Sequence, residues 1–139
     1  MVDKAKPFHE TSIRVRFAET DMMGIVHHAS YLLYFEVGRV ELTRQTGASY
    51  ADLEADGYSL AIGEIQVRYI APAHFDQLLT IRTQVVDIRS RSVTFAYEIA
   101  DQATNQILVT GISRQICVDH TGSVRRIPEC WLEAVRDPT

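Results

Sequence analysis

The chain has 139 residues, 46% of them apolar and 23% charged, with a formal net charge of -4. That length holds one core of ordinary size and leaves no room for two, so a single domain over residues 1–139 is expected, and the composition excludes a disordered chain. The acidic balance argues against a nucleic-acid partner, although a local arginine cluster could still meet a phosphate-bearing ligand.

The opening stretch Met1-Val-Asp-Lys-Ala-Lys-Pro-Phe-His-Glu10 has no apolar run of the kind a secretory signal carries. No segment approaches the ~18–20 apolar residues of a membrane span. Neither cysteine, Cys117 or Cys130, belongs to a CxxC pair, and Cys117 falls inside an apolar run. A cytoplasmic protein with reduced thiols is therefore expected, with no membrane partner.

The stretch Ser12–Ala18 alternates, with Ile13, Val15 and Phe17 on one face, which reads as a half-buried strand. It ends in Glu19-Thr-Asp-Met-Met-Gly24, a polar segment closed by glycine, where the chain turns. From Ser30 the period changes to that of a helix. Leu32, Phe35, Arg39 and Leu42 form one row, with Leu33, Val37 and Val40 beside it. Ser30 is the expected N-cap and Gly47 the left-handed residue after the last turn. The first turns are apolar nearly all round, so the helix is expected to be largely covered. Ser49-Tyr-Ala-Asp52 then opens a short second helix that stops at Gly57.

Strands follow. Leu60 and Ile62 alternate, then Ile65, Val67 and Tyr69 alternate with opposite parity, which implies a β-bulge at Gly63-Glu64. Leu79, Ile81 and Val85 mark another strand, and Val93, Phe95, Tyr97 and Ile99 the next. Ile107 and Val109 give way to Ile112, Ile116 and Val118, so a second bulge is expected at Gly111. Asp101 to Asn105 and Asp119 to Gly122 supply turns. Pro128 opens a last short helix through Trp131 and Val135. Short connections favour antiparallel pairing, giving an α+β fold with a curled sheet of about five strands around one long central helix. The open sheet leaves edges, which dimerisation commonly covers.

The chemistry concentrates in Arg16 to Tyr31. A carboxylate at a strand-to-turn junction, a glycine, and a return toward a helix start supply an attacking or water-activating group facing a backbone N–H that can hold an oxyanion. By spacing alone, Asp21 is equally the kind of residue that makes local hydrogen bonds in a turn. No metal is expected, because His27 and His28 point apart and no third ligand stands at zinc-like spacing. No cofactor is expected either, and there is no Gly-rich phosphate loop. Ser113 and Cys117 lack a local base, so neither reads as a nucleophile.

Thr20-Asp-Met-Met-Gly-Ile-Val-His-His-Ala-Ser-Tyr31, followed by Tyr34-Phe-Glu-Val-Gly-Arg-Val-Glu41 and by Val67-Arg-Tyr-Ile-Ala-Pro-Ala73 with Asp76, resembles the 4-hydroxybenzoyl-CoA thioesterase family. The look is closest to acyl-CoA thioesterases of the Tol–Pal cluster type. The resemblance runs from about Ile13 to Pro128 and implies the hotdog fold and hydrolysis of an acyl-CoA thioester to free acid and CoA. By position it implies Asp21 as nucleophile or general base and the His28 backbone N–H as the oxyanion donor. It also implies a homodimer or homotetramer with the site at the subunit interface. Gly24, His27, Tyr31 and Glu64 are the expected substrate-contacting residues, Glu64 because it sits at the predicted bulge. Met22-Met23 and His27 depart from the family pattern, so acyl preference does not transfer. Arg89 and Arg91 are candidates for meeting CoA phosphates. The alternatives are a non-catalytic acyl-CoA-binding module and an enoyl-CoA hydratase, whose acid/base motif is absent here.

Overall fold

The computed structural model describes residues 1–136. The elements, in chain order, are β1 (His9–Arg14), a 3-10 turn (Phe17–Glu19), α1 (Ser30–Thr46), α2 (Tyr50–Ala55), β2 (Tyr58–Tyr69), β3 (Leu78–Ile88), β4 (Ser92–Asp101), β5 (Ile107–Asp119) and α3 (Glu129–Arg136). The strands form one antiparallel sheet in the order β1-β3-β4-β5-β2, so β1 and β2 are its edges. Its inner face packs on α1 through Leu79, Ile81, Phe95, Tyr97, Ile99 and Val109, all fully buried, against Tyr34 and Phe35. The expected α+β architecture is therefore present. No helix among the described residues is long and apolar enough to cross a membrane.

Two glycines on the helix–sheet contact let the layers close. A Cβ on Gly38 of α1 would lie 2.2 Å from Thr83 Oγ1, and one on Gly111 of β5 would lie 2.5 Å from Phe35 Cε2. The second close approach corrects the expected bulge at Gly111. That residue pairs in regular register with both Val67 and Tyr97. The bulge in β5 falls earlier, where Ile99 and Ala100 face Val109 and Ile107 across an unpaired Leu108. Parity misled because the inward positions Gly111, Ser113 and Gln115 carry no apolar side chain, while Ile112 and Ile116 lie on the other face. The bulge at Gly63 is where the alternation put it, and a further one interrupts β3 at Val86.

Two other expectations are corrected. β1 ends at Arg14 rather than running to Ala18, because the Glu19 carboxylate accepts the Arg16 N–H at 2.7 Å and folds Phe17–Glu19 into a turn, leaving Phe17 exposed. Ser30 is not the N-cap. It already lies inside α1, and its hydroxyl donates to the Glu19 carbonyl. α1 is largely covered, as expected. The stripe Tyr31, Tyr34, Phe35, Gly38, Leu42 is buried, but Leu33 is exposed and Val37 and Val40 are half-buried on the other side. Gly47 ends the helix at φ 82°, as expected of a left-handed cap, and Ser49 caps α2 by accepting the Asp52 N–H.

Candidate functional site

Between β1 and α1 the chain makes a small hairpin. Asp21 N–H donates to the Ile25 carbonyl at 2.9 Å, Thr20 bridges Val26, and His27 N–H donates to the Glu19 carbonyl at 2.9 Å. At the tip, Gly24 N–H closes on the Asp21 carbonyl at 3.1 Å, with Gly24 at φ 78°, a conformation glycine takes without strain. The Asp21 Oδ1 accepts the Met23 N–H at 2.8 Å, which fixes the side chain over its own turn. The return arm is held from outside by residues 73–75: Val26 N–H donates to Ala73, Ile25 bridges His74, and Phe75 N–H donates to Gly24.

The return arm then feeds α1. The His27 carbonyl accepts the Ser30 N–H at 2.9 Å, and the His27 ring accepts the Ala29 N–H through Nδ1 at 3.1 Å. His28 N–H meets no acceptor among the described residues. Because the His27 carbonyl is turned toward Ser30, the N–H of the same trans peptide points the other way, out of the loop. The His28 carbonyl accepts the Tyr69 hydroxyl at 2.9 Å, tying the end of β2 to the start of α1. A free N–H here lies in the positive end of the helix dipole.

Asp21, Gly24, His27 and His28 thus share one exposed hairpin. The imidazoles of His27 and His28 stack at 4.2 Å, so these neighbours do not point apart as expected. Among the described residues no cluster of His, Cys, Asp and Glu could hold a metal. Tyr31 is a packing residue: it is 3% exposed, its hydroxyl accepts the Ala73 N–H at 3.1 Å, and its ring meets Tyr34 and Tyr69 edge-on. Burial raises its pKa above the usual phenol value. Glu64 is exposed beside Gln66 and stands opposite Arg114, on the face turned from α1. Within one protomer it lies some five residues from Tyr69, roughly 16 Å along the strand, and does not join the hairpin.

Two features escaped the sequence reading. Glu19 is a buried carboxylate under the hairpin, receiving Arg16 and Tyr34. Burial and that carboxylate push the Tyr34 phenol well above its usual pKa, so it stays a donor. A basin of about 350 Å³ lined by Tyr58, Arg91, Val124, Arg125 and Arg126 lies at the far end of β2. Arg91 is one of the expected phosphate candidates. Arg89 is instead paired to Asp87 at 3.0 Å. A larger cavity of about 530 Å³ opens near Lys6, Leu42, Val85 and Val135, at the opposite end of α1 from the hairpin. Its lining includes neither Asp21 nor His28.

The family model of the thioesterase-like superfamily matches residues 15–135. The chain is 36% identical over 107 residues to the putative acyl-CoA thioesterase YneP of Bacillus subtilis, covering 77% of each chain. It is 34% identical over 107 residues to the acyl-CoA thioester hydrolase YbgC of Escherichia coli O157:H7, covering 77% of this chain and 79% of that one. A hypothetical protein from Thermus thermophilus superposes with a TM-score of 0.88 at 32% identity, over 96% of this chain and 98% of that one. The DHNA-CoA thioesterase of Staphylococcus aureus superposes with a TM-score of 0.88 at 28% identity, over 93% of this chain and 89% of that one.

Proposed function

The chain belongs to the thioesterase-like superfamily and has its hotdog fold, and on that premise we propose that it hydrolyses acyl-CoA thioesters with Asp21 as the reacting carboxylate and the His28 N–H as the oxyanion donor. The observation that carries this reading is the unpaired His28 N–H at the start of α1, on the same hairpin as Asp21. The thioester carbonyl accepts the His28 N–H, which takes up the negative charge as the carbonyl carbon becomes tetrahedral. Asp21 either attacks that carbon, expelling the CoA thiolate and leaving a mixed anhydride that water cleaves, or removes a proton from an attacking water. Both routes end in free acid and CoA. The finer resemblance, to 4-hydroxybenzoyl-CoA thioesterases and the Tol–Pal-cluster type, belongs to the same proposal, as does a cytoplasmic location, which two free thiols suit.

The functional unit in this reading is a dimer, the building block of any tetramer. β2 is an unpaired sheet edge carrying exposed Ile62, and the Leu33, Val37, Val40 stripe of α1 is only partly covered, with Leu33 exposed. Antiparallel pairing of β2 with a second β2 would carry one protomer's Tyr58 end toward its partner's Tyr69 and His28. The basin beside Tyr58 would then flank the partner's hairpin, where the guanidinium groups of Arg91 and Arg126 suit the phosphates of CoA, Arg125 being paired to Asp119 at 2.8 Å. Glu64 enters only as a residue of that paired edge.

The test is thiol release from a panel of aliphatic and aromatic acyl-CoAs. Asp21→Asn should lower kcat by at least about 10³. His28→Ala should lose no more than about tenfold, since a side-chain change leaves the backbone donor in place, whereas removing an oxyanion donor itself costs ~10²–10³. Turnover preserved in Asp21→Asn would refute the assignment. Substrate binding without turnover in the wild type would favour the binding-module alternative.

A further inference from the structure

We infer that Glu19 is the positioning residue that keeps the attacking carboxylate and the oxyanion donor in register, an inference that rests on the reading of Asp21 and His28 above. Glu19 is 5% exposed and takes no part in the proposed reaction. Its Oε1 accepts the Arg16 N–H at 2.7 Å and the Tyr34 hydroxyl at 3.0 Å. Its Oε2 accepts the Arg16 guanidinium through Nε at 3.2 Å and a terminal nitrogen at 3.1 Å. Its backbone carbonyl accepts the His27 N–H at 2.9 Å and the Ser30 hydroxyl at 3.2 Å. One residue therefore grips the exit of β1, the return arm of the hairpin and the first two turns of α1.

The two reacting groups hang from that grip. Asp21 lies two residues beyond Glu19 on the outgoing arm. On the return arm, His27 is held on both sides of its Cα, its N–H by Glu19 and its carbonyl by the Ser30 N–H, and the next N–H along the chain is that of His28. Loss of the Glu19 side chain's grip leaves the return arm held by residues 73–75 and by the Glu19 carbonyl, but frees the exit of β1 and the outgoing arm that carries Asp21 to shift relative to α1. Geometry of this kind is expensive to lose, since a displacement of about 1 Å at a reacting pair can cost ~10²-fold in rate.

The chemistry of the clamp explains why it is a carboxylate. All the groups around its side chain are donors, and a carboxylate is acceptor-only. Glutamine has nearly the same shape but turns an NH₂ either toward the Arg16 guanidinium or toward the Arg16 N–H and Tyr34 hydroxyl, so it loses one side of the grip. Glu19→Gln is therefore an isosteric test, and Tyr34→Phe removes a single donor from the same carboxylate.

The experiment compares wild type, Glu19→Gln and Tyr34→Phe in three readouts. These are kcat and KM on the best acyl-CoA, the Kd of a non-hydrolysable thioether analogue, and the Kd of a trifluoromethyl-ketone CoA analogue whose adduct carries the tetrahedral oxyanion. Glu19→Gln should lower kcat by about 10–100-fold, with KM and thioether affinity within about threefold of wild type. Its ketone affinity should fall in step with kcat/KM, and Tyr34→Phe should move the same way by less. A folded Glu19→Gln with wild-type kcat would overturn the inference, and so would equal weakening of thioether and ketone, the mark of general loosening. If Glu19→Gln fails to fold, Tyr34→Phe decides: wild-type kcat and ketone affinity overturn the inference, and a selective loss of both supports it. An inactive wild type would overturn the site reading and this inference together, whereas an active wild type with an unaffected Glu19→Gln overturns only the part given to Glu19.

Discussion

Replacing Gly111 by alanine tests the packing on which the hairpin stands. A Cβ there would lie 2.5 Å from Phe35 Cε2, 2.6 Å from Phe35 Cζ and 3.1 Å from the Gln66 carbonyl. Carbon atoms prefer about 3.5–4.0 Å, so the ring must retreat by roughly 1 Å. It has little room, because Tyr97, the cross-strand neighbour of Gly111, is stacked on it at 4.3 Å with the planes 12° apart, and the Tyr97 hydroxyl is engaged by Arg39 and Ser113. Overpacking of this kind costs about 1–3 kcal/mol, and the blocked retreat argues for the upper half of that range. Alanine recovers part of it by ordering the strand more readily than glycine, by ~0.5–1 kcal/mol. A net loss of about 2 kcal/mol is expected, which for a chain of this size lowers Tm by about 8 °C. Circular dichroism during thermal and urea unfolding measures it. Phe35→Leu added to Gly111→Ala should restore part of the loss, a non-additivity that only a shared contact produces. A Gly111→Ala protein within about 0.5 kcal/mol of wild type, or strictly additive variants, would refute close packing as the reason for this glycine.

Arg91→Ala and Arg126→Ala should each raise KM for the CoA thioester several-fold, flatten its dependence on salt and leave kcat nearly unchanged; steady-state kinetics at two ionic strengths checks this, and an unchanged KM refutes a phosphate role. Asp101 is held below its ordinary pKa by hydrogen bonds from Gln77 and Thr104, and Asp119 by the Thr121 hydroxyl ahead of backbone N–H groups and Arg125. A depressed carboxyl contributes stability above its unfolded pKa of about 4 and loses it as pH falls through the folded value, so the urea midpoint should hold down to about pH 5 and drop below about pH 4, with Asp101→Asn shallower over that drop. Leu33→Glu should shift the protein toward monomer in light scattering and cut turnover in the same concentration range, while an active monomer would refute a shared site.

The sequence exposed those strands whose inward side is apolar. Ile81, Phe95, Tyr97 and Ile99 announce their faces because every inward position excludes water. β5 misled because its inward row continues as Gly111, Ser113 and Gln115. There the Ser113 hydroxyl meets both Tyr97 and Gln115, so hydrogen bonding and close approach replace an apolar side chain. The end of β1 was equally illegible, since alternation carries no sign that a carboxylate three residues on will take the Arg16 N–H. Within the candidate site, the turn at Asp21 and Gly24 was readable because a turn's chemistry is local. Tyr69 and Tyr34 were not, because what makes them matter are contacts across 41 and 15 residues, with the His28 carbonyl and the Glu19 carboxylate.

In the proposed dimer, the exposure of Asp21 in one protomer and the open stripe on α1 have a common explanation. An oxyanion donor works far better where water is excluded, because the low dielectric strengthens the hydrogen bond just as charge develops. Yet the hairpin stands open, with Met22, Met23, Phe17 and Phe75 around it all exposed. Among the described residues nothing dries it. Leu33, Val37 and Val40 recur at helical spacing from the fourth residue of α1 onward, away from the buried Tyr34–Phe35 side. A second copy seated on that stripe would bury apolar area and close over the hairpin in one step. Burial of the stripe and dehydration of the carboxylate then become the same event, and this is why Leu33→Glu is expected to reduce assembly and turnover together rather than one without the other.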